Sequence, residues 1–310
     1  MAEGKKMAMT DPKKEIQISS LVDPNKPRTI LGEARRLYQL SYQNANFNRI
    51  NKAFLLTKRL YEGRFPGYLA CATDYHNFAH VMAVFAATSR LVDGCELSGL
   101  KLGPKIAEEV LIAALLHDTG YIRKKGDTSG TGGQYTKTHV NRSAAFTLIE
   151  AETFGLGPKS AARISRMILG TDLGRPWETL TFESEKERIA AEILATADLL
   201  GQMADRAYLE KLLFLYYEFR EAGIGGYDRA FDILKKTAGF YESTKHRLDV
   251  TLGRVSGRMN DHFKTRHGVN RDLYSESVIR QMSYLDTIIA DDSTNFRKKL
   301  RRAAGPGVVG

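Results

Sequence analysis

The spacing of its apolar residues narrows the folds open to this chain more than any other feature. From Leu31 onward, segment after segment repeats at three-to-four-residue intervals, and most stop at glycine. No stretch alternates with period two between turn residues. ARRLYQLSYQ and NRINKAFLLTKRLYEG open the series, the second closing at Gly63, and AHVMAVFAATSRLVDG closes at Gly94. PKIAEEVLIAALLHDTGY starts on Pro104, a residue suited to the first helical position, and stops at Gly120. HVNRSAAFTLIEAETFG, PKSAARISRMILGTDLG and the long ESEKERIAAEILATADLLGQMADRAYLEKLLFLYYEFREAG continue the pattern. YDRAFDILKKTAGFYESTKHRLDVTLGRV and SESVIRQMSYLDTIIADDSTNFRKKLRR complete it. The pattern predicts an all-α fold, a single compact multi-helix domain over 31–299. IRKKGDTSGTGGQYTKT is the clearest loop. Residues 1–30 are polar, carry Pro24 and Pro27 and have no sustained period, so they read as a flexible or loosely docked arm. Residues 300–310 read as a basic, glycine-rich tail.

Composition removes several function classes. At 310 residues with 43% hydrophobic content, the chain can bury a sizeable core. Its two cysteines, Cys71 and Cys95, cannot form a disulfide framework and point to a reducing compartment. The opening MAEGKKMAMTDPKKEIQ has no apolar signal region, and the most apolar run, VLIAALLH, is too short for a bilayer core of roughly 30 Å. A cytoplasmic protein with no membrane partner is expected. The net charge of +10 owes half its value to Arg297, Lys298, Lys299, Arg301 and Arg302. No aromatic residues are interleaved there to stack bases, which favours a solvated terminus over a nucleic-acid site.

Five titratable residues stand in apolar, helix-patterned surroundings where charge is costly. His76 and His80 sit four apart in YHNFAH and share a helix face if the helix includes position 76. His117 and Asp118 follow AALL at a predicted helix C-terminus, where backbone carbonyls disfavour a carboxylate and a positive partner is needed. Asp198 lies among alanines in EILATADLL. Any one of them alone reads better as a satisfied core or capping residue. Together they form a nitrogen and oxygen ligand set for a divalent ion. No cysteine joins them, which argues against structural zinc, and HNFAH lacks the glutamate of the HExxH metalloproteases.

His80, then His117-Asp118, then Asp198 reproduces the H…HD…D order of the HD superfamily of metal-dependent phosphohydrolases. The chain further resembles the catalytic domain of class I 3′,5′-cyclic-nucleotide phosphodiesterases. YHNFAH matches that family's YHNxxH, MILGTDL its ATDM-like turn, ATADLL its ADL, and QMSYLDTII from Gln281 its QxxFxxxI. These matches run in the family's order from about Asn48 to Arg297. The resemblance implies that His80, His117, Asp118 and Asp198 hold a first metal ion, with Asp118 bridging to a second. Zn2+, Fe or Mn would fill the tighter site and Mg2+ or Mn2+ the other. A hydroxide bridging the two ions would open a cyclic nucleotide (cyclic AMP, cyclic GMP or both) to the 5′-nucleotide. His76 would be the general acid. Gln281 would hydrogen-bond the purine edge, Tyr284 would stack on the ring, and Tyr75 would line the pocket. Asp172 would touch the metals' water shell.

Two departures qualify the match. HDTGY replaces the family's HDxxHPG, so a histidine that organises metal-bound water is missing, and His139 is the candidate substitute or second-metal ligand. Gly201, followed by Gln202, stands where the family tends to have asparagine. Two alternatives therefore stay open. One is an HD phosphohydrolase of another nucleotide or phosphorylated metabolite, and the other is a non-catalytic nucleotide-sensing or interaction module. The pattern of cyclic-dinucleotide hydrolases and the acidic pair of ppGpp hydrolases are absent. Metal identity, oligomeric state and regulation are not encoded in these motifs.

Overall fold

The computed structural model describes residues 16–21, 23–291 and 295–300. Positions 1–15 of the arm, and Arg301, Arg302 and the rest of the tail, lie outside them. The described residues form α1 (Ile18–Leu21), α2 (Pro27–Ser41), α3 (Asn48–Tyr61), α4 (Phe78–Leu97) and α5 (Pro104–Leu116). Then come α6 (His139–Ile149), α7 (Ala151–Phe154), α8 (Pro158–Leu169), α9 (Glu185–Met203) and α10 (Tyr208–Glu221). The last are α11 (Ala230–His246), α12 (Arg258–His267) and α13 (Leu273–Ala290). Short 3-10 turns and one π-helical turn at Arg247–Thr251 join them. There is no strand among the described residues, only an isolated bridge between Tyr68 and Lys124. The fold is all-α, and no described helix is long and apolar enough to cross a membrane.

Two helices are apolar nearly all round and therefore form the centre. Along α5, every residue from Ala107 to Leu116 is buried, and along α4 burial runs almost unbroken from His80 to Glu96. Around this pair, α2, α9 and α12 pack on α4, while α3, α8 and α9 pack on α5. Charge inside this layer is paired. Arg163 forks onto the buried Glu109 at 2.7 and 2.6 Å, and Arg166 reaches the buried Glu187 at 2.6 Å. Such pairing is what burial of a carboxylate demands.

Three features depart from the sequence reading. α2 starts at Pro27, and Ile18 is buried with α1 packed on α13, so ordered structure begins within the span read as an arm. The long segment from Glu183 to Gly223 is two helices, α9 and α10, because Asp205 turns the chain by accepting the Ala207 N–H at 2.8 Å. α12 escaped detection, since only Met259, His262 and Phe263 of this polar helix are buried.

Candidate functional site

The site is assembled where the start of α4 and the end of α5 meet the body of α9. Asn77 caps α4, its side chain accepting the N–H groups of Ala79 and His80 at 2.9 and 3.2 Å. This cap starts the helix at Phe78, so the helix does not include position 76 and the two histidines do not share a helix face. His80 sits in the first turn of α4, whereas His76 belongs to the bend before it. α5 ends at Leu116, so His117 and Asp118 emerge from the buried centre on its C-terminal turn. His117 is held by a 2.8 Å contact between Nδ1 and the Ala114 carbonyl, which leaves Nε2 free to point at the site. Asp198 arrives from α9, brought close by Gly201. A Cβ at Gly201 would stand 3.1 Å from the backbone of Ala83 and Val84, so α4 and α9 cross at nearly backbone contact.

The four side chains converge. His80 Nε2 is 3.3 Å from His117 Nε2, and each lies 3.2 Å from Asp118 Oδ2. Asp198 Oδ1 faces the same two nitrogens at 3.4 and 3.7 Å. Asp118 Oδ2 is sealed from solvent without a hydrogen-bond partner among the described residues. Donors around a cation with bonds of about 2.1 Å stand roughly 3.0–3.4 Å apart, so this spacing fits a metal ion. His139 approaches the other oxygen of Asp118, Nε2 to Oδ1 at 3.7 Å, with Nδ1 anchored on the Thr136 carbonyl at 2.7 Å. Asp118 thus faces two histidines with one oxygen and a third with the other.

The electrostatics agree with the geometry. Burial alone would raise the pKa of Asp118, but the imidazoles of His117, His80 and His76 outweigh it and hold the carboxyl well below its usual range. Burial likewise acts to lower His80, and the facing carboxylates of Asp118 and Asp198 overcome it, pushing the imidazole up to about 9. A proton on His80 therefore occupies the place a cation would take. Metal uptake must expel that proton, and any on His117, whose imidazole the same carboxylates also raise, so affinity should rise about tenfold or more per pH unit and level off above about 9. Calorimetric titration with Mn2+ in buffers of differing ionisation enthalpy checks this. An affinity independent of pH between about 6.5 and 9 contradicts it.

His76 stands beside the cluster in a setting the sequence reading missed. Its Nδ1 is 2.5 Å from Oε2 of Glu218, a buried residue of α10, whose Oε1 accepts the backbone N–H groups of Tyr75 and His76 at 2.8 and 3.3 Å. Tyr121 stacks on both flanking histidines, 4.2 Å from the His76 ring and 4.4 Å from the His139 ring, and those two rings are themselves 5.9 Å apart. Gly120 makes this close stacking possible. A Cβ there would lie 2.0 Å from the His139 carbonyl oxygen, so Gly120→Ala should cost about 3 kcal/mol and displace His139. Thermal unfolding checks this, and an unchanged midpoint contradicts it.

Arg247 also escaped the sequence reading. It follows α11 on the π-helical turn, donates Nη2 to the Gly170 carbonyl at 2.9 Å and lies 5.9 Å from the Trp177 ring. Burial lowers its guanidinium's pKa, while the carboxylates of Asp172 and Asp198 oppose that shift. Its Nε is buried without a hydrogen-bond partner among the described residues.

Of the remaining candidates Tyr75 lies beside the cluster, its ring 6.0 Å from that of His80. Tyr75 is buried against His76, with its ring 4.8 Å away, and its hydroxyl donates to Gln202 at 2.6 Å. Asp172 accepts the Gly174 N–H at 2.9 Å and faces Arg175, so its carboxylate closes its own turn. Gln281 is buried with its amide nitrogen donating to the carbonyls of Asp205 and Arg206 at 2.7 and 3.1 Å. It bolts the corner between α9 and α10. An amide that reads a purine edge needs a free donor beside its acceptor, and both donors here are spent. Tyr284 is tied by its hydroxyl to the Lys299 carbonyl.

A family model described as Npun_R2479-like matches residues 125–248. That span takes in His139, Asp198, Glu218 and Arg247, and begins after His117 and Asp118. No curated protein matches the chain.

Proposed function

We propose that this protein is an HD-type, divalent-metal-dependent phosphohydrolase. The observation that carries the reading is that His80, His117 and Asp118 bring ligand atoms within 4.8 Å of one another in the protein interior, with Asp198 Oδ1 facing the same two imidazole nitrogens at 3.4 and 3.7 Å. Bound there, divalent cations supply Lewis-acid activation of water and neutralise charge on a phosphate ester. His139 faces the far oxygen of Asp118 and is the residue available to a second ion.

The chain's own groups do the rest. Glu218 accepts the Nδ1 proton of His76 and fixes the ring, so an imidazolium there can give its other proton to the departing alkoxide. Tyr121 holds that ring flat against one flank of the cluster. Arg247, with an unspent N–H and a charge felt by Asp198, is the group suited to an anionic phosphate. Loss of one such charged hydrogen bond is worth about 1.5–3 kcal/mol, so Arg247→Ala should raise KM by about 10- to 100-fold with a smaller change in kcat. Steady-state kinetics on a phosphate diester checks this, and an unchanged KM removes Arg247 from substrate binding.

3′,5′-Cyclic nucleotides are the first substrates to test, on the strength of YHNFAH, HD, TDL, ADL and QMSYLD occurring in order. The spent donors of Gln281 favour a second reading, in which the same centre hydrolyses another nucleotide or phosphorylated metabolite. A panel of cyclic AMP, cyclic GMP, nucleoside phosphates and nitrophenyl phosphates, each with Mn2+ or Mg2+, decides between them. Turnover confined to the non-cyclic substrates selects the second. No turnover of any substrate by metal-loaded protein overturns both and leaves a binding module.

A further inference from the structure

A second histidine cluster lies far from the first. Asp93 sits about 20 Å further along α4 than His80, at a rise of about 1.5 Å per residue. There Glu33 of α2 and His262 and His267 of α12 bring ligand atoms within 4.8 Å of one another. The Nε2 atoms of both histidines are sealed from solvent and have no hydrogen-bond partner among the described residues. An unsatisfied polar atom in a protein interior is costly, and here two stand together with their ring centroids 5.6 Å apart.

The surroundings orient these atoms as ligands. His262, fully buried, is 2.7 Å through Nδ1 from Asp93 Oδ2, which fixes the tautomer that leaves a lone pair on Nε2. Asp93 is itself gripped by Arg266, with contacts down to 2.6 Å. Glu33 is held from one side by Arg90, through contacts of 2.9, 2.9 and 3.1 Å, and Arg90 is braced by the Tyr274 hydroxyl at 3.0 Å. A carboxylate has about four lone-pair positions, so this grip leaves room for one further partner. Gly268, at φ 67°, ends α12 directly after His267 and sets that ring at the helix terminus.

We propose that Glu33, His262 and His267 form an independent transition-metal site, of the kind Zn2+ fills, that staples α2 and α12 together across α4. Two imidazoles and one carboxylate suit zinc and leave at least one coordination position for water. Arg90 and Arg266 balance Glu33 and Asp93 in charge, so the site offers no excess negative charge to a hard cation. Selection by nitrogen ligands should therefore favour Zn2+ over Mg2+ and Ca2+.

The test uses full-length protein carrying Asp118→Ala, which removes a ligand from the first cluster, and Zn2+ alone as probe. Equilibrium titration should find one Zn2+ retained per chain and not displaced by millimolar Mg2+. Adding either His267→Gln or Glu33→Gln should weaken it by at least about tenfold. No retained zinc, or an affinity unchanged by both substitutions, overturns the proposal. Zinc-edge anomalous diffraction from wild-type crystals grown with Zn2+ decides without any variant. A peak bonded to both Nε2 atoms supports the site, and a peak at the first cluster alone refutes it.

Discussion

Asp118→Ala should lower phosphate-ester hydrolysis on the order of 10,000-fold, the scale seen when one member of a catalytic unit is removed. The size of the effect follows from the position of one side chain. Asp118 Oδ2 meets both His80 and His117 at 3.2 Å, while Oδ1 faces His139 at 3.7 Å. On the proposed two-ion reading, deleting the carboxylate removes a donor from each of two cation positions at once. The metal-free fold should lose stability, by about 3–5 kcal/mol, because Asp118 offsets the buried charge on His80 and its removal leaves that charge short of a partner. Activity within tenfold of wild type, in a variant that remains folded at the assay temperature, would remove the cluster from catalysis. Loss of the fold itself is excluded by comparing melting curves without metal.

His76→Ala should cost about 100- to 10,000-fold on substrates with an alkoxide leaving group, the usual range for a lost general acid. The loss should shrink sharply on a nitrophenyl ester, whose leaving group departs without a proton. Metal affinity should be unchanged, since His76 Nδ1 is committed to Glu218 and not to the four ligands. Glu218→Gln should act in the same direction through His76, lowering kcat about tenfold while KM stays within twofold, because Glu218 positions the ring. Equal losses on both leaving groups would assign His76 to some role other than proton donation. Full activity in His76→Ala would remove it from the mechanism.

How much of this could be read from the sequence depended on which interactions are local. The all-α fold was legible because helical periodicity and glycine stops are properties of short windows. Its limits are visible at α12, whose few apolar residues leave no stripe, and at Asp205, where a single side chain breaks an otherwise helical run. His80, His117, Asp118 and Asp198 were singled out by motif order rather than by any local signal, and the fold brings the first three together with Asp198 facing the two imidazoles. The offset of His76 from His80 was misjudged because Asn77, lying between them, reads equally well as a helical residue or as a cap. Glu218 and Arg247 lie far along the chain in unremarkable helical contexts, and only the tertiary fold brings them to the site. The stacking role of Tyr121 is likewise a property of three rings from three segments. Gln281 shows the opposite failure. A motif register suggested base recognition, and the folded chain spends the amide on the turn before α10.

The most direct test of the central claim is a metal titration of activity. Protein stripped of metal is titrated with Mn2+ while hydrolysis of cyclic AMP and of bis-nitrophenyl phosphate is followed, alongside Asp118→Ala. The account predicts no turnover without metal, a rise that saturates as the cluster fills, and none in the variant at any Mn2+ concentration. Turnover that is indifferent to metal, or equal in wild type and Asp118→Ala, would contradict it.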